Sequence, residues 1–348
     1  MPAEALLEIC EAEDLATLIH HRLAIPDAGD DWPQNVLDAL AVKARTVTGE
    51  ELLRGAEIRA VIEALATAGI RALLIKGTPL AYSVYPTPAA RPRDDTDLMI
   101  TVAHVDAARG VMASLGYIET VHCSDLFSQF EVQKRDRFGV VHAFDVHWKI
   151  STQPVFADVL SHREMLRDAV SVPALGAAAF APGFVDALLL ACIHPAMHHK
   201  NAERILWIYD THLLASRLTD DEFCDFARQA MHKRVAAVCA HQLQLARAIF
   251  ETRIPDAALN ELSAAEDEPS AAYLASHRRW HHEVISSVRG LPRVGDRVTL
   301  LRHVLLPSPG YMLGAYGLRG KPLAPWLLPA LYVHRGVRGA WRILAGKK

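Results

Sequence analysis

The sequence has 348 residues, of which 51% are hydrophobic and 22% are charged, and its formal net charge is −3. This composition is typical of a globular protein with a buried core, and the length suits two domains or one large domain with appendages. The small negative charge argues against a general nucleic-acid-binding protein, which carries an excess of basic residues.

The cysteines and the hydropathy pattern both favour a cytoplasmic protein. The five cysteines are scattered without a CxxC pair, which is typical of reduced thiols in the cytosol. No apolar run reaches the roughly 20 residues that a transmembrane helix needs. We therefore predict a cytoplasmic protein without a membrane span.

The N-terminal segment, residues 1–69, is predicted to be helical. Apolar residues at helical spacing predict one helix over residues 3–24, which ends before the stretch that begins at Pro26. Two further helices are predicted over residues 33–48 and 50–68, and Gly69 closes the second.

Between residues 70 and 152 the pattern changes to short apolar runs, which predict a small mixed sheet. A buried strand over residues 72–75 leads into the turn Lys76-Gly77-Thr78-Pro79 and a short helix. The elements predicted after it are a strand over 96–102, a helix over 104–115, a strand over 117–121 and a hairpin over 127–135 and 140–148.

Residues 153–348 are predicted to form a helical domain. Its clearest predicted helices span 183–199, 203–217, 220–231, 233–250 and 270–288, and an apolar and basic helix follows over 326–345. The predicted fold class is therefore α+β, with a small α/β core between an N-terminal helical segment and a C-terminal helical domain.

Three aspartates stand at the start of the second predicted strand, at positions 94, 95 and 97. Because successive side chains of a strand point to opposite faces, Asp95 and Asp97 share a face and Asp94 points away. Asp145 lies in the second arm of the hairpin, among apolar residues. Converging carboxylates repel each other unless a multivalent cation neutralises them, and Mg²⁺ or Mn²⁺ suits such oxygen ligands. We therefore predict Asp95, Asp97 and Asp145 as catalytic and metal-binding residues.

The turn after the first strand supports this prediction, because a bare Asp-x-Asp pattern can simply open a strand at a solvated loop. The backbone N–H groups of Lys76, Gly77 and Thr78 stand at a helix N-terminus, where phosphate groups bind readily. Lys76, Arg91 and Arg93 could also contact phosphate oxygens, although each could equally be a solvated loop residue.

Four short motifs follow one another in this part of the chain: Ile75-Lys76-Gly77, Tyr85-Pro86, Arg91 and Asp95-Thr96-Asp97-Leu98-Met99-Ile100. Their order and spacing resemble those of the DNA polymerase beta-type nucleotidyltransferase superfamily. More narrowly, they resemble a bacterial group described as uncharacterised nucleotidyltransferase family proteins. The resemblance covers about residues 55–215, because residues 144–148, 190–194 and 204–210 are similar to later motifs of that group.

The resemblance implies a palm-like sheet with helices packed on one face. It implies that Asp95 and Asp97 hold two metal ions and the triphosphate, and that Asp145 binds the catalytic metal and helps to activate the acceptor. Gly77 and Thr78 would bind the β and γ phosphates, together with Lys76 and Arg93 as further nucleotide contacts. Thr78 stands where the superfamily has serine and keeps the hydroxyl, and Thr96 removes no ligand.

The function that the resemblance implies is metal-dependent nucleotidyl transfer. An NTP, with ATP expected, would give its NMP to a hydroxyl or phosphate of a small molecule, natural product or peptide, and pyrophosphate would leave. Mg²⁺ or Mn²⁺ is the expected cofactor, and no general nucleic-acid binding is expected. The alternatives are nucleotidylation of a partner protein, as in antitoxin-type members of the superfamily, and a non-catalytic binding module.

Two further clusters carry open interpretations. His194, His198 and His199 have a spacing compatible with Zn²⁺, with Asp210 as a further ligand, but we favour a structural cluster or the lining of an acceptor pocket. The tail could lie on an anionic membrane surface, although we favour a helix that covers the domain while its arginines reach solvent. The tail residues concerned are Trp326, Tyr332, Arg335, Arg338, Trp341 and Arg342.

Overall fold

The structure is a computed structural model that describes residues 3–121, 128–265, 268–274, 284–285, 288, 293–307, 309–316, 318 and 324–344. These residues form a mixed fold in which helices surround a seven-stranded sheet. The predicted α+β fold class is confirmed. The division at residues 69 and 152 stays a prediction.

The N-terminal helices differ from the predicted ones in their number and bounds. They are α1 (Ala3–Ala12), α2 (Ala16–Leu23) and α3 (Gln34–Thr67). The single helix predicted over residues 3–24 is wrong, because the chain turns at Asp14 with a positive φ of 56°. The break predicted near residue 49 is also wrong. Gly49 lies on an open surface, and α3 continues through it because an isolated glycine costs a helix only about 1 kcal/mol.

The sheet contains short strands of mixed direction. They are β1 (Leu73–Ile75), β2 (Asp95–Met99), β3 (Ile118–Val121), β4 (Gln129–Arg135), β5 (Val141–His147), β6 (Val170–Ser171) and β7 (Phe180–Ala181), in the order β3-β4-β5-β2-β1-β7-β6. Strand β2 is antiparallel to β1 and parallel to β5, and β4 and β5 form the predicted hairpin. The sequence did not predict β6 and β7, because two residues are too few to show an alternating pattern.

Helices α4 (Gly77–Ser83) and α5 (Val105–Ser114) connect the first strands of the sheet. The later helices are α6 (Pro154–Ala157), α7 (His162–Arg167), α8 (Phe184–His198), α9 (Ile205–Ala215), α10 (Asp220–His232), α11 (Ala236–Phe250), α12 (Asp256–Ser263), α13 (Val294–Leu305), α14 (Pro309–Ala315) and α15 (Leu328–Leu344). Four of the helices predicted after residue 153 thus appear as α8 to α11 with small shifts in their bounds. The helix predicted over 270–288 lies mostly outside the described residues.

The final helix, α15, has an exposed apolar side. Val333, Val337 and Trp341 lie on this side and are exposed, as is Trp326 before the helix. The interpretation that the other side of α15 covers the domain stays a prediction. Among the described helices, none combines the length and the apolar character that crossing a membrane requires.

The two faces of the sheet have different partners. Side chains such as Leu74, Leu98 and Phe144 form one buried cluster with α3 and α5. On the other face, Leu73 and Ile75 share a buried cluster with the C-terminal helices. The resemblance implied helices on one face of the sheet, and in the structure the C-terminal helices also cover part of the second face. The uncovered part of that second face borders a cavity.

A buried ion pair joins the core to the helical domain. The Arg91 guanidinium donates two hydrogen bonds to the Asp210 carboxylate on α9, from Nε to Oδ1 at 2.9 Å and from Nη2 to Oδ2 at 2.8 Å. Tyr85 Oη donates a third to Oδ1 at 2.7 Å. Both charged side chains are buried. Each of these two buried charges is therefore neutralised by the other.

The substitution Asp210→Ala tests this link. It leaves the Arg91 charge buried without a counter-ion, so we expect the free energy of unfolding to fall by about 3–5 kcal/mol in urea titrations followed by circular dichroism. The control is Asp225→Ala on α10, since Asp225 pairs with Arg228 in solvent, where their side chains are 58% and 73% exposed. We expect that control to lose less than about 1 kcal/mol. Equal losses in the two variants would contradict the link.

Candidate active site

The register of β2 and β5 places two carboxylates opposite each other. Asp97 on β2 pairs with Asp145 on β5, and Asp95 lies two residues earlier on the same face. His147 follows on β5, and its Nε2 lies 2.7 Å from Asp97 Oδ1. One ligand atom each from Asp97, Asp145 and His147 lies within 4.8 Å of the other two. Strand pairing alone therefore brings these groups together.

The carboxylates line a cavity of about 380 Å³ between the sheet and the helical domain. Asp95, Asp97 and Asp145 form the sheet side, and the turn that follows β1 lies beside them. The opposite wall comes from α8 and α9 and the loop between them, through His194, His198, His199, Arg204 and Trp207. A volume of this size falls in the range of small-molecule sites in proteins.

The negative charge in the cavity exceeds what the neighbouring cations neutralise. Burial, followed by the charges of Asp97, Asp95 and Glu131, raises the pKa of Asp145 to about 7. Burial and the charge of Asp97 likewise raise the pKa of Asp95 to about 6. Two carboxyl groups with raised pKa values in one cavity mark a place where an added cation would be stabilised.

Lys76 supplies the ammonium that stabilises Asp97. Its Nζ lies 2.5 Å from Asp97 Oδ1. Burial raises the pKa of Asp97, but the Lys76 charge and the hydrogen bond with His147 lower it more, so the pKa lies well below its usual range. The backbone of Lys76 has φ 57° and ψ −133°, a region that residues other than glycine rarely adopt. Such strain costs about 1–3 kcal/mol and persists only where surrounding contacts enforce it. It lies here at the entrance to α4, beside the carboxylates.

His147 stands behind Asp97 as a hydrogen-bond donor. The Asp97 carboxylate can only accept, so the short bond requires that His147 Nε2 carries the proton. Burial and the nearby Lys76 ammonium lower the pKa of His147, which keeps the ring neutral. The Nε2 lone pair is then absent, so His147 in this tautomer offers no Nε2 ligand atom, and Asp95, Asp97 and Asp145 stay the predicted metal ligands. A set of carboxylate oxygens fits Mg²⁺ or Mn²⁺.

Gly77 and Thr78 form the first turn of α4 and line the cavity. A phosphate group in the cavity could therefore reach them, as the predicted phosphate contact of these residues requires. The Thr78 hydroxyl is buried and accepts a hydrogen bond from Arg93 Nε at 3.0 Å. A Cβ added to Gly77 would lie 3.1–3.2 Å from the Arg91 guanidinium. Gly77 therefore leaves room for Arg91, and Thr78 holds Arg93.

Arg93 is fixed at the edge of the cavity, and part of its guanidinium is unused. Its Nη2 donates to Glu51 on α3 at 2.8 Å, and its Cζ lies 5.6 Å from the centre of the Tyr82 ring. Nη1 is buried and has no hydrogen-bond partner among the described residues. Arg91 differs, because its three nitrogen atoms bind Asp210 and the Pro92 carbonyl. These bonds tie Arg91 to the protein, and its suggested contact with phosphate stays a prediction.

His194 and His198 of α8 and the following residue, His199, form an aromatic cluster with Trp207. The centre of the His199 ring lies 4.3 Å from that of Trp207, and His194 packs edge-on to Trp207 at 5.3 Å. Asp210, suggested as a further zinc ligand, is instead bound to Arg91. Burial and the Lys76 ammonium hold the pKa of His194 well below its usual range. The cluster is a neutral aromatic wall, which agrees with the interpretation as a pocket lining.

Sequence reasoning missed Glu51 completely. Glu51 accepts hydrogen bonds from Arg93 and from Tyr82 Oη, and it thereby fixes both side chains beside the turn. It lies in the middle of α3, where a glutamate at a helical surface position attracts no attention. Only the packing of α3 against the sheet brings it to the site, so no local pattern could have identified it.

Comparison with known proteins identifies the family. A family model described as an uncharacterised nucleotidyltransferase matches residues 1–251 of the chain. No curated protein matches it. Because the family model covers most of the chain, the chain belongs to this nucleotidyltransferase family, as the motifs predicted. Membership supports nucleotidyl transfer as the general reaction, and the residues that carry it out stay predictions.

The substitution Gly77→Ala tests how tightly the turn and the buried ion pair are packed. Because Asp210 fixes the Arg91 guanidinium, the added methyl group cannot be accommodated easily, and we expect a loss of about 1–3 kcal/mol in the free energy of unfolding. The control is Gly110→Ala in α5, where nothing lies within 4 Å of the added Cβ. That change should be neutral or stabilise the protein by up to about 1 kcal/mol. Equal free energies of unfolding in the two variants would contradict close packing around Gly77.

Proposed function

We propose that this chain transfers AMP from ATP to a hydroxyl or phosphate group of an acceptor held against the helical domain. One observation carries the proposal: Asp97 and Asp145 face each other across paired strands, with Asp95 beside them, in one cavity with the Lys76 turn. Membership of the nucleotidyltransferase family supports nucleotidyl transfer as the general reaction. The donor, the acceptor and the roles of individual residues are the parts proposed here.

The proposed metal ligands are Asp95, Asp97 and Asp145. Their carboxylates concentrate negative charge in a cavity where Lys76 offsets only part of it, so they favour a divalent cation. When bound, Mg²⁺ or Mn²⁺ supplies charge neutralisation for the phosphate oxygens. His147 orients the Asp97 carboxylate by donating from Nε2, and it has no direct contact with the substrate in the proposal.

Basic groups around the turn are proposed to hold the triphosphate. Lys76 lies beside Asp97 and can contact a phosphate oxygen once that carboxylate has another partner. Arg93 has one guanidinium nitrogen, Nη1, without a hydrogen-bond partner among the described residues. Glu51 and Thr78 hold the rest of the guanidinium in place. Gly77 and Thr78 bring the backbone of the turn to the same side of the cavity.

The proposed step is a displacement at the α-phosphorus. The acceptor oxygen bonds to that phosphorus, the bond to the oxygen that bridges the α- and β-phosphates breaks, and pyrophosphate leaves with the electron pair. Asp145, which lies opposite Asp97 in the same cavity, is proposed to accept the proton of an acceptor hydroxyl. Positioning and charge neutralisation carry most of the catalysis in such reactions.

The wall opposite the carboxylates is the proposed acceptor site. Trp207, His199 and His194 present aromatic surface, and Arg204 adds a cation beside Trp207, at 5.2 Å from its ring centre. Arg204 also pairs with Asp14 at the edge of the cavity. A ligand with a planar or apolar body and an anionic group would suit this wall.

Binding of Mn²⁺ tests the proposed ligands without any acceptor. We expect Asp145→Asn to weaken Mn²⁺ binding at least about tenfold, because a carboxylate ligand becomes a neutral amide. Free Mn²⁺ can be measured by electron paramagnetic resonance during titration of the protein. The matched control is Asp158→Asn, since Asp158 is an exposed carboxylate soon after β5. The assignment fails if Asp145→Asn binds Mn²⁺ as tightly as this control.

Radioactive ATP tests the reaction itself. The protein is incubated with cell extract and Mg²⁺, and with ATP labelled on either the α- or the γ-phosphate. Nucleotidyl transfer moves the α-label to the acceptor and releases the γ-label as pyrophosphate, whereas phosphoryl transfer does the reverse. We expect α-label in an acceptor, and its loss by at least about a hundredfold with Asp97→Asn, as for groups that stabilise transition-state charge. Nucleotide binding without transfer of the α-label would instead indicate a non-catalytic binding module.

A further inference from the structure

The charge of the chain is divided very unevenly along its length. After Asp296 the sequence contains no aspartate or glutamate, but it contains nine lysines and arginines. The first 296 residues carry the remaining 28 basic and all 40 acidic residues, so their net charge is −12 while that of the tail is +9. Such asymmetry is typical of a tail that binds an anionic surface.

Helix α15 exposes an apolar stripe on its outer side. Val333, Val337 and Trp341 are 67%, 64% and 56% exposed, and their spacing of four residues places them on one face. Trp326, in the turn before α15, is 83% exposed. Arg338 lies next to this stripe and is also exposed.

The same helix has a different side for packing within the tail. Tyr332 Oη donates a hydrogen bond to the Pro307 carbonyl. Leu331 and Tyr332 are half-buried, in contrast to Val333 and Val337. The side of α15 that carries Leu331 and Tyr332 therefore faces its neighbours, whereas Val333 and Val337 lie on another side and are exposed.

Helix α13 repeats this arrangement. Its apolar residues Val294, Val298, Leu301 and Leu305 recur at helical spacing and are exposed. Among the described residues, ten exposed large apolar side chains lie between positions 294 and 341, a segment in which Asp296 is the one acidic residue of the sequence. Helices with an apolar stripe beside cations are characteristic of proteins that lie in the membrane interface.

We propose that α13 and α15 bind the surface of anionic phospholipid bilayers. The apolar stripes enter the boundary between head groups and acyl chains, and the basic side chains contact the lipid phosphates. Trp326 and Trp341 suit this depth, because tryptophan concentrates at membrane interfaces. The binding is peripheral, and it holds the acidic body of the protein away from the anionic surface.

The positive charge and the apolar stripes of the tail disfavour other binding partners. Most side chains of the two stripes are valine and leucine, which do not stack on bases, so the stripes suit a nucleic-acid site poorly, because such a site uses aromatic stacking and cations. A second copy of the same tail would bring two like-charged surfaces together, which costs free energy. An anionic bilayer complements both the charge and the apolar stripe.

Sedimentation with vesicles tests the proposal on the full chain. The protein is mixed with vesicles of phosphatidylcholine alone, or of phosphatidylcholine and phosphatidylglycerol in equal amounts. We expect binding to the mixed vesicles only, and we expect salt to weaken it, because salt screens the attraction. Binding that is equal on both vesicles, or absent from both, overturns the proposal.

Two pairs of variants separate the apolar and electrostatic contributions. Val337→Asp should weaken binding at least about tenfold, because it removes apolar surface and adds a repelled charge, whereas Val42→Asp, at an exposed valine of α3, should have no effect. Arg338→Glu should weaken it roughly thirtyfold, since each charge near the surface contributes about a fivefold change. Arg228→Glu on α10 is the matched control, because Arg228 is also exposed but lies outside the tail.

The variants also distinguish lipid binding from self-association. Light scattering without vesicles gives the mass of each variant in solution. The proposal is overturned if the wild-type chain is a dimer without vesicles, and if Val337→Asp makes it a monomer but leaves its sedimentation with vesicles unchanged. The stripe would then be a contact between copies of the chain. A wild-type chain that keeps one mass, and loses vesicle binding in Val337→Asp but not in Val42→Asp, supports it.

Discussion

The structure around the cavity depends on the electrostatic cost of burying Asp95, Asp97 and Asp145 beside one another. That cost is visible in the raised pKa values of Asp95 and Asp145, for which burial is the first cause and the neighbouring carboxylates the second. Lys76 and His147 lower it by stabilising Asp97, and Lys76 does so from a strained backbone conformation. A cavity that retains such repulsion is suited to a ligand that brings positive charge.

Arg91 and Asp210 connect that cavity to the rest of the protein. Arg91 lies in the loop before β2, and Asp210 lies on α9, which also carries Trp207 on the opposite wall. This ion pair, together with the apolar cluster between the sheet and the C-terminal helices, therefore holds the carboxylates and the wall assigned to the acceptor in position. Gly77 allows this arrangement because it has no side chain that would collide with the Arg91 guanidinium.

The acidic body and the basic tail have separate roles in this interpretation. The body concentrates carboxylates where a cation and a nucleotide are proposed to bind, and the tail concentrates cations and exposed apolar residues. If the tail lies on a bilayer, the protein works at a membrane surface although none of its described helices could cross one. The acceptor would then be a molecule present at that surface or delivered to it.

The sequence alone determined the order of elements in the core, the α+β class and the placement of Asp95 and Asp97 on one face of a strand. These conclusions follow from local periodicity, because the alternation of a strand fixes which side chains share a face. It did not determine that Asp97 lies opposite Asp145, because register depends on how two strands pair at a distance. Nor could it reveal the contacts of Arg91 with Asp210 and of Arg93 with Glu51, which join residues 119 and 42 positions apart. Those contacts exist only when the helices are packed on the sheet, so the tertiary structure decided them.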